Sequence, residues 1–245
     1  MPKTERIAIA RICYGGFHHA AVGDWLARTS HVIVSNFSGL ESFWVDRHNV
    51  CTARNLAVET ARERECDYLL MVDADSCPDC MSQAPPFFDT SINHAMRLGQ
   101  PCIISAPCVR ADGSVCIYQE IEDDDGRHLI HVSPEAAARE TGIQIVPAAS
   151  LALCLIDMRC FYEAPRPFFR FYYTDKTESE IASGEEWFTM NCTERGIPVF
   201  CNWDSWCGHA KVKVLGKPPS PVAREATPQE RRLWTPHQET NLPPA

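Results

Sequence analysis

Three common signatures are missing from this sequence. No Gly-x-Gly-x-x-Gly follows the first apolar segment, no Gly-x-x-x-x-Gly-Lys-Ser/Thr loop occurs, and there is no Gly-x-Ser-x-Gly. These absences argue against a dinucleotide-dependent dehydrogenase, a P-loop ATPase and an α/β-hydrolase. Each of those chemistries uses its glycines to bring backbone against phosphate or to expose a nucleophilic serine. No apolar run approaches the roughly 20 residues that a membrane-spanning helix requires. The stretch MPKTERIAIARI carries charges but no separate apolar segment with a cleavage site, so secretion is not expected. Internal repeats are absent as well.

Positive charge is scarce. Twenty-three Lys and Arg stand against 32 Asp and Glu, a formal net charge of −9. That balance argues against general attraction to nucleic acid, while leaving room for a local basic surface. From His209 to the end, six Lys/Arg face three Glu, a local +3 that leaves −12 on the rest.

What is present is an ordinary globular composition. The chain has 245 residues, 45% hydrophobic and 22% charged, enough to bury a substantial core. Thirteen cysteines is a high and odd number. Disulfide-rich secreted chains are short, so most of these cysteines are expected to be reduced and buried, or metal-related.

The first hundred residues alternate strand and helix, which predicts an α/β architecture. Arg6–Ile12 (RIAIARI) reads as a buried strand, followed by a helix over Phe17–Arg28 and a short strand at His31–Ser35 (HVIVS). Ala53, Leu56, Ala57, Thr60 and Ala61 have helical spacing within Thr52–Glu65. Tyr68–Val72 (YLLMV) is a continuous apolar run suited to a central parallel strand covered on both faces. Pro86–Leu98 reads as a helix stopped by Gly99, and Cys102–Ala106 as another buried strand. Short strands are expected around the turn at Asp123–Gly126, then a strand at Leu151–Asp157, a helix over Gly184–Gly196 and a strand at Pro198–Cys201. Beyond Gly216 seven prolines exclude a long helix and predict an arm.

Asp73-Ala74-Asp75 stands directly after the YLLMV strand. Ligands of open α/β sheets bind beyond the carboxyl ends of the strands. Two carboxylates leaving such an end can hold a divalent ion, and the ion a diphosphate. The same spacing within Asp123-Asp124-Asp125 belongs to a turn. His209, in Trp206-Cys207-Gly208-His209, follows the last strand. By itself such a histidine is more often structural than a ligand; an imidazole joined to carboxylate oxygens suits Mn²⁺ better than Mg²⁺.

Glu185 and Glu186 open a helix, where Ser183-x-x-Glu186 matches a capping box and acids suit the helix dipole. A carboxylate so mounted also suits a general base that accepts a proton from a hydroxyl. Arg54-Asn55 lies in the first turn of its helix, as surface residues on the sheet end of Asp73, where an arginine can bind diphosphate or nucleobase. Cys77-x-x-Cys80 offers half of a zinc site, with Cys102, Cys108 and Cys116 as sources of the rest.

Taken in order, Arg54-Asn55, the Tyr68–Asp75 segment YLLMVDAD, Gly184-Glu185-Glu186-Trp187-Phe188 and Gly208-His209 resemble the small GT-A-fold glycosyltransferases common in phage and bacterial genomes. The resemblance spans roughly residues 6–214. It implies an α/β, GT-A-like (Rossmann-like) single domain over 1–216, with a mixed, mainly parallel central sheet flanked by helices, and a proline-rich arm over 217–245. It also implies a nucleotide-sugar donor, a UDP-sugar foremost, with Mn²⁺ or Mg²⁺. Asp75 and His209 would hold the metal, with Asp73 near the ribose or the metal. The Tyr14-Gly15 loop would border the base, Arg54 and Asn55 would face the donor, and Lys211 and Lys213 would clamp its diphosphate. Glu186 would be the base, with Glu185 behind it; the family's Glu-Asp is Glu185-Glu186 here, a departure at the catalytic position.

The implied reaction is sugar transfer to a hydroxyl acceptor in the cytoplasm of a bacterial or phage-infected cell. Some phage enzymes of this resemblance glycosylate hydroxymethylated pyrimidines in DNA. Lys211, Lys213, Lys217, Arg224, Arg231 and Arg232 would then form a basic rim. A small molecule, a glycan or a protein is the alternative acceptor. Two readings from other classes stand beside it: a non-catalytic sugar- or nucleotide-binding module of the same fold, and a nucleotidyltransferase.

Overall fold

Alternation along the first strand sets up two separate cores. In β1 (Arg6–Cys13), Ile7 and Ile9 point to one face while Ala8, Ala10 and Ile12 point to the other. A computed structural model of the protein describes residues 3–13, 19–46, 48–80, 84–109, 113–123, 126–162, 164–173, 180–182 and 184–210. They belong to one unit, Met1–Lys211. The expected arm over 217–245 lies outside the described residues.

The remaining elements follow in chain order. They are α1 (Ala20–Asn36), β2 (Gly39–Asp46), α2 (Val50–Glu63), β3 (Tyr68–Asp73), β4 (Ser76–Cys77), α3 (Phe87–Leu98) and β5 (Ile103–Ser105). The hairpin β6 (Ile117–Asp123) and β7 (Gly126–His131) leads to the short α4 (Pro134–Ala137), β8 (Ile143–Ile145), β9 (Ala148–Ala149) and β10 (Leu153–Asp157). A 3-10 turn at Met158–Phe161, then β11 (Tyr172–Tyr173), β12 (Glu180–Ala182), α5 (Gly184–Glu194), β13 (Val199–Asn202) and β14 (Gly208–His209) complete the unit.

Seven strands form the central sheet in the order β2-β1-β3-β10-β5-β13-β8. β1 runs parallel to both β2 and β3, and β13 to β5, whereas β10 and β8 run against their neighbours. The sheet is therefore mixed and mainly parallel, as expected. Helices α1 and α3 cover one face through Trp25, Leu26, Ile33, Phe87 and Ile92; α2 and α5 cover the other through Ala53, Ala57, Ala61 and Phe188. Small residues meet on that second face, Ala8 and Ala10 of β1 against the alanines of α2, so the helix packs close to the strand. β3 is buried throughout, which accounts for its unbroken apolar sequence. Gly99 ends α3 at φ 70°, a left-handed position that glycine adopts without strain.

One expected strand is not a strand. His31–Ser35 is the last part of α1. Val22, Trp25, Leu26, Thr29 and Ile33 recur at helical spacing and are all buried, while Val34 is 60% exposed. Burial of that stripe outweighs the β preference of Val32-Ile33-Val34. The strand that follows α1 is β2, eight residues further on, paired with the outer side of β1 and half-buried along much of its length.

Gly184 lets α5 start hard against α2. A Cβ placed there would overlap the Cys51 Sγ and come within 3.5 Å of the Arg170 backbone nitrogen. Gly184→Ala is expected to cost about 1–3 kcal/mol in urea unfolding, the usual scale of overpacking. Adding Cys51→Ala should return part of that loss. An unchanged midpoint in Gly184→Ala would mean that the helix start relaxes freely.

Candidate functional site at the carboxyl edge of the sheet

β1, β2 and β3 end along one edge, with Cys13 opposite Asp46 and Ile12 opposite Asp73. The carboxylate at the end of β3 is held from behind. Arg54, on α2 and without exposed surface, donates from Nη1 to Asp73 Oδ1 at 3.1 Å and from Nη2 to Asp73 Oδ2 at 3.2 Å. Nη2 also donates to Glu185 Oε1. The other Glu185 oxygen, Oε2, accepts from the Ser150 hydroxyl at 2.7 Å and from the Leu151 amide at 2.9 Å. Both Glu185 oxygens are thus engaged by protein donors.

One buried guanidinium serves two buried acids, and their proton affinities diverge. Burial raises Asp73 to about 7, with the Glu185 charge adding to the rise and Arg54 opposing it. Burial also pushes Glu185 up, but Arg54, the Ser150 hydroxyl and the Leu151 amide outweigh it and hold that carboxyl below its ordinary value.

Arg54 was expected at the surface in the first turn, facing the donor. The structure buries it completely, so its charge acts on any ligand through Asp73 and Glu185. Asn55 likewise turns to the backbone: its amide nitrogen donates to the Cys51 and Phe169 carbonyls, and its oxygen accepts from the Phe169 amide. These bonds anchor the segment that leads to Phe171.

Asp75 and His209, 134 residues apart, are brought together by a two-stranded pairing. β14 runs antiparallel to β4, matching Gly208 with Cys77 and His209 with Ser76. The Ala210 amide donates to the Asp75 carbonyl at 2.7 Å, and His209 Nε2 lies 2.7 Å from Asp75 Oδ2. Gly208 permits this approach, since a Cβ there would stand 3.2 Å from the Cys77 Cβ. This contact is a hydrogen bond, and it sets a carboxylate oxygen beside an imidazole nitrogen at one point of the surface. Among the described residues no three or more His, Cys, Asp and Glu are grouped to hold a metal. Asp73 therefore does not complete a preformed triad, and Cys77-x-x-Cys80 does not gather a zinc site. Instead the Cys77 thiol lies 3.7 Å from His19 Nδ1, the Cys80 thiol donates to the Trp206 carbonyl, and Cys102 is buried in the core. No disulfide joins any two of the thirteen cysteines.

Asp73, Asp75, Glu185, His209, Ser150 and Cys116 line a single cleft of about 540 Å³. Two other hollows, of about 370 Å³ beside Asp157 and Arg159 and about 600 Å³ beside Lys3 and Arg97, contain no acid–histidine pair. Glu186, one residue from Glu185, points elsewhere and accepts a hydrogen bond from the Tyr118 hydroxyl. Phe188, the last residue of that motif, stacks on Phe161 with centroids 5.1 Å apart and fixes the start of α5 in the core. Tyr14, Gly15, Lys211, Lys213 and the Ser183 cap lie outside the described residues. Ser150, which also lines the cleft and donates to Glu185, carries no local signal in the sequence.

No protein-family model matches the chain, and no curated protein matches it. Among solved structures, A197 from STIV matches with a TM-score of 0.57 over 84% of this chain and 86% of that one, at 13% identity. The fold is GT-A-like. GalNAc-T7, solved with UDP, GalNAc and Mn²⁺, matches at a TM-score of 0.45 and 11% identity, covering 85% of this chain and 44% of that chain. The acid–histidine pair lies just beyond the carboxyl end of β3, beside the separate β4–β14 pairing, where ligands of open α/β sheets bind.

Proposed function

We propose that this protein is a metal-dependent glycosyltransferase that moves a sugar from a nucleoside diphosphate sugar, a UDP-sugar foremost, to a hydroxyl acceptor. The observation that carries the proposal is the Asp75–His209 pair, 2.7 Å apart in the cleft that Asp73 also lines. One carboxylate oxygen and one imidazole nitrogen would hold Mn²⁺, or Mg²⁺, leaving its other positions to diphosphate oxygens and water. When bound, the ion neutralises charge on the departing diphosphate.

The protein's own groups do the rest. Arg54 holds Asp73 by both oxygens and so fixes its orientation toward the donor. Glu185 is spent on Arg54, Ser150 and Leu151, and Glu186, whose carboxylate accepts from the Tyr118 hydroxyl, is the acid proposed as the base. Tyr14, Gly15, Lys211 and Lys213 belong to the same proposal as donor contacts. No described helix is long and apolar enough to cross a membrane. The cytoplasm of a bacterial or phage-infected cell belongs to the proposal through the family resemblance alone.

For the acceptor, a hydroxymethylated pyrimidine in DNA is opposed by the −12 carried before His209 and favoured by the six cations after it. Incubation with hydroxymethylcytosine or hydroxymethyluracil DNA, Mn²⁺ and a panel of nucleotide-sugars at two salt concentrations tests it. Transfer that weakens steeply with salt supports DNA; transfer only to saccharides or protein rejects it. Release of nucleoside diphosphate, as against pyrophosphate or nothing, separates glycosyl transfer from nucleotidyl transfer and from a binding module.

Glu186→Gln is expected to lower turnover about 10²-fold or more while donor binding persists, the scale of a lost general base. If Glu186→Gln stays active and Glu185→Gln is dead, the two acids exchange roles.

A further inference from the structure

The hollow of about 370 Å³ lies at the other end of β3 from the candidate site. Tyr68, the first residue of that strand, lines the hollow, and Asp73, the last, lines the cleft. Its volume is at the lower end of the range for small-molecule sites.

Two polar groups in it have no protein partner. Tyr68 is only 6% exposed, yet among the described residues nothing hydrogen-bonds its hydroxyl. Buried phenols are otherwise found paired, so a hydroxyl left over beside a hollow points to a group from outside the chain. Burial, with the Asp157 charge adding to it, raises this phenol to about 12. It therefore keeps its proton and still offers a lone pair. The Glu5 carboxylate is the second such group: no donor among the described residues reaches it, and Oε2 is buried in that state.

The charges around the hollow select the sign of a ligand. Asp157 is matched by Arg159, whose Nε and Nη2 donate to both of its oxygens at 2.7 to 3.1 Å. Asp67 has only the Arg6 amide on Oδ2, at 2.8 Å, while the Arg6 guanidinium turns to Glu41. Glu5 and Asp67 are thus left without a cation, and the carboxyl end of α3, at Gly99, adds partial negative charge. A cation is favoured. Among the described residues no three His, Cys, Asp or Glu gather to hold a metal ion, so the cation is one that binds through its own N–H groups. Met96 and Tyr162 line the same hollow and supply surface for a carbon stem.

We propose that this hollow binds a small primary alkylammonium, with its N–H groups on the Glu5 carboxylate and the Tyr68 hydroxyl and its stem along Met96 and Tyr162. The site is separate from the metal and donor site and does not depend on the reading of that site.

The test is calorimetric titration of the full-length chain with butylamine, and with butanol as the uncharged comparator. Butylamine is expected to bind saturably with a dissociation constant below about 10 mM, butanol not to bind, and Mg²⁺ not to displace the amine. Glu5→Gln should weaken butylamine about tenfold or more and Tyr68→Phe about threefold or more, the scales of a charged and a neutral hydrogen bond. Tyr68→Phe should leave the urea midpoint of the unliganded chain no lower than the parent's, since the hydroxyl has no protein bond to lose. A lowered midpoint would reveal such a bond and remove the premise. Asp75→Ala should bind butylamine like the parent; loss of binding there would place the amine in the cleft and overturn the proposal. Equal affinity in the parent, Glu5→Gln and Tyr68→Phe would be general attraction to an acidic surface, and it rejects the site as surely as no binding at all.

Discussion

Asp75→Ala is expected to abolish Mn²⁺-dependent binding of UDP while leaving the unliganded protein as stable as its parent. Two observations give that separation of effects. The Asp75 side chain is 47% exposed, so its loss removes little packing. The β4–β14 pairing that brings His209 alongside is made by backbone groups and survives the substitution. A ligand at 100 times its dissociation constant stabilises a fold by about 2.7 kcal/mol, and Asp75→Ala should forfeit that stabilisation in thermal unfolding with Mn²⁺ and UDP together. His209→Ala removes the softer of the two donors and should weaken the response about tenfold or more, with Mn²⁺ affected more than Mg²⁺. Full Mn²⁺-dependent stabilisation in Asp75→Ala would sink the metal assignment, whatever the activity of the chain.

The two halves of that site differ in how far the sequence announces them. Tyr68–Val72 is a run of apolar residues because β3 is covered on both faces, and the acids that follow it must lie at the strand's carboxyl end. That much is local and legible. His209 is different: nothing near it identifies its partner, which lies 134 residues away through the β4–β14 pairing. Glu185 and Glu186 show the same limit more sharply. Adjacent helical residues point about 100° apart, so one acid meets Arg54 and the other meets Tyr118. Two neighbouring letters of the same type carry no sign of that division. The misread segment at His31–Ser35 has the opposite cause, a strong local signal overruled by burial of a helical stripe that begins at Val22. β2 is not legible in the sequence because an edge strand with Glu41, Ser42 and Trp44 facing partly outward lacks the apolar continuity of β3.

Arg54→Ala is expected to be the most destabilising substitution in the site, by about 3–5 kcal/mol in urea unfolding. The loss exceeds that of an ordinary ion pair because two carboxylates depend on one guanidinium. Without the guanidinium, burial and the Glu185 charge would push Asp73 to its neutral form, leaving a buried carboxyl and a buried Glu185 carboxylate without their shared counter-charge. Removing the charges together should be far milder than removing one partner, since a buried ionic group owes much of its apparent strength to the penalty left behind. Glu185→Gln keeps the Ser150 and Leu151 contacts through its amide oxygen and removes one of the two negative charges. Arg54→Met combined with Asp73→Asn and Glu185→Gln should therefore recover a large part of what Arg54→Met alone loses, a strong non-additivity that a mutant cycle measures directly. The triple variant should still fail to use a nucleotide-sugar, because Asp73 is then neutral and no longer gripped by both oxygens. Stability and activity are thus expected to part company: the fold should accept an uncharged core at this point, and the proposed donor contact should not. Arg54→Ala within 1 kcal/mol of the parent, or strict additivity across the cycle, would show that the three charges are not acting as one unit.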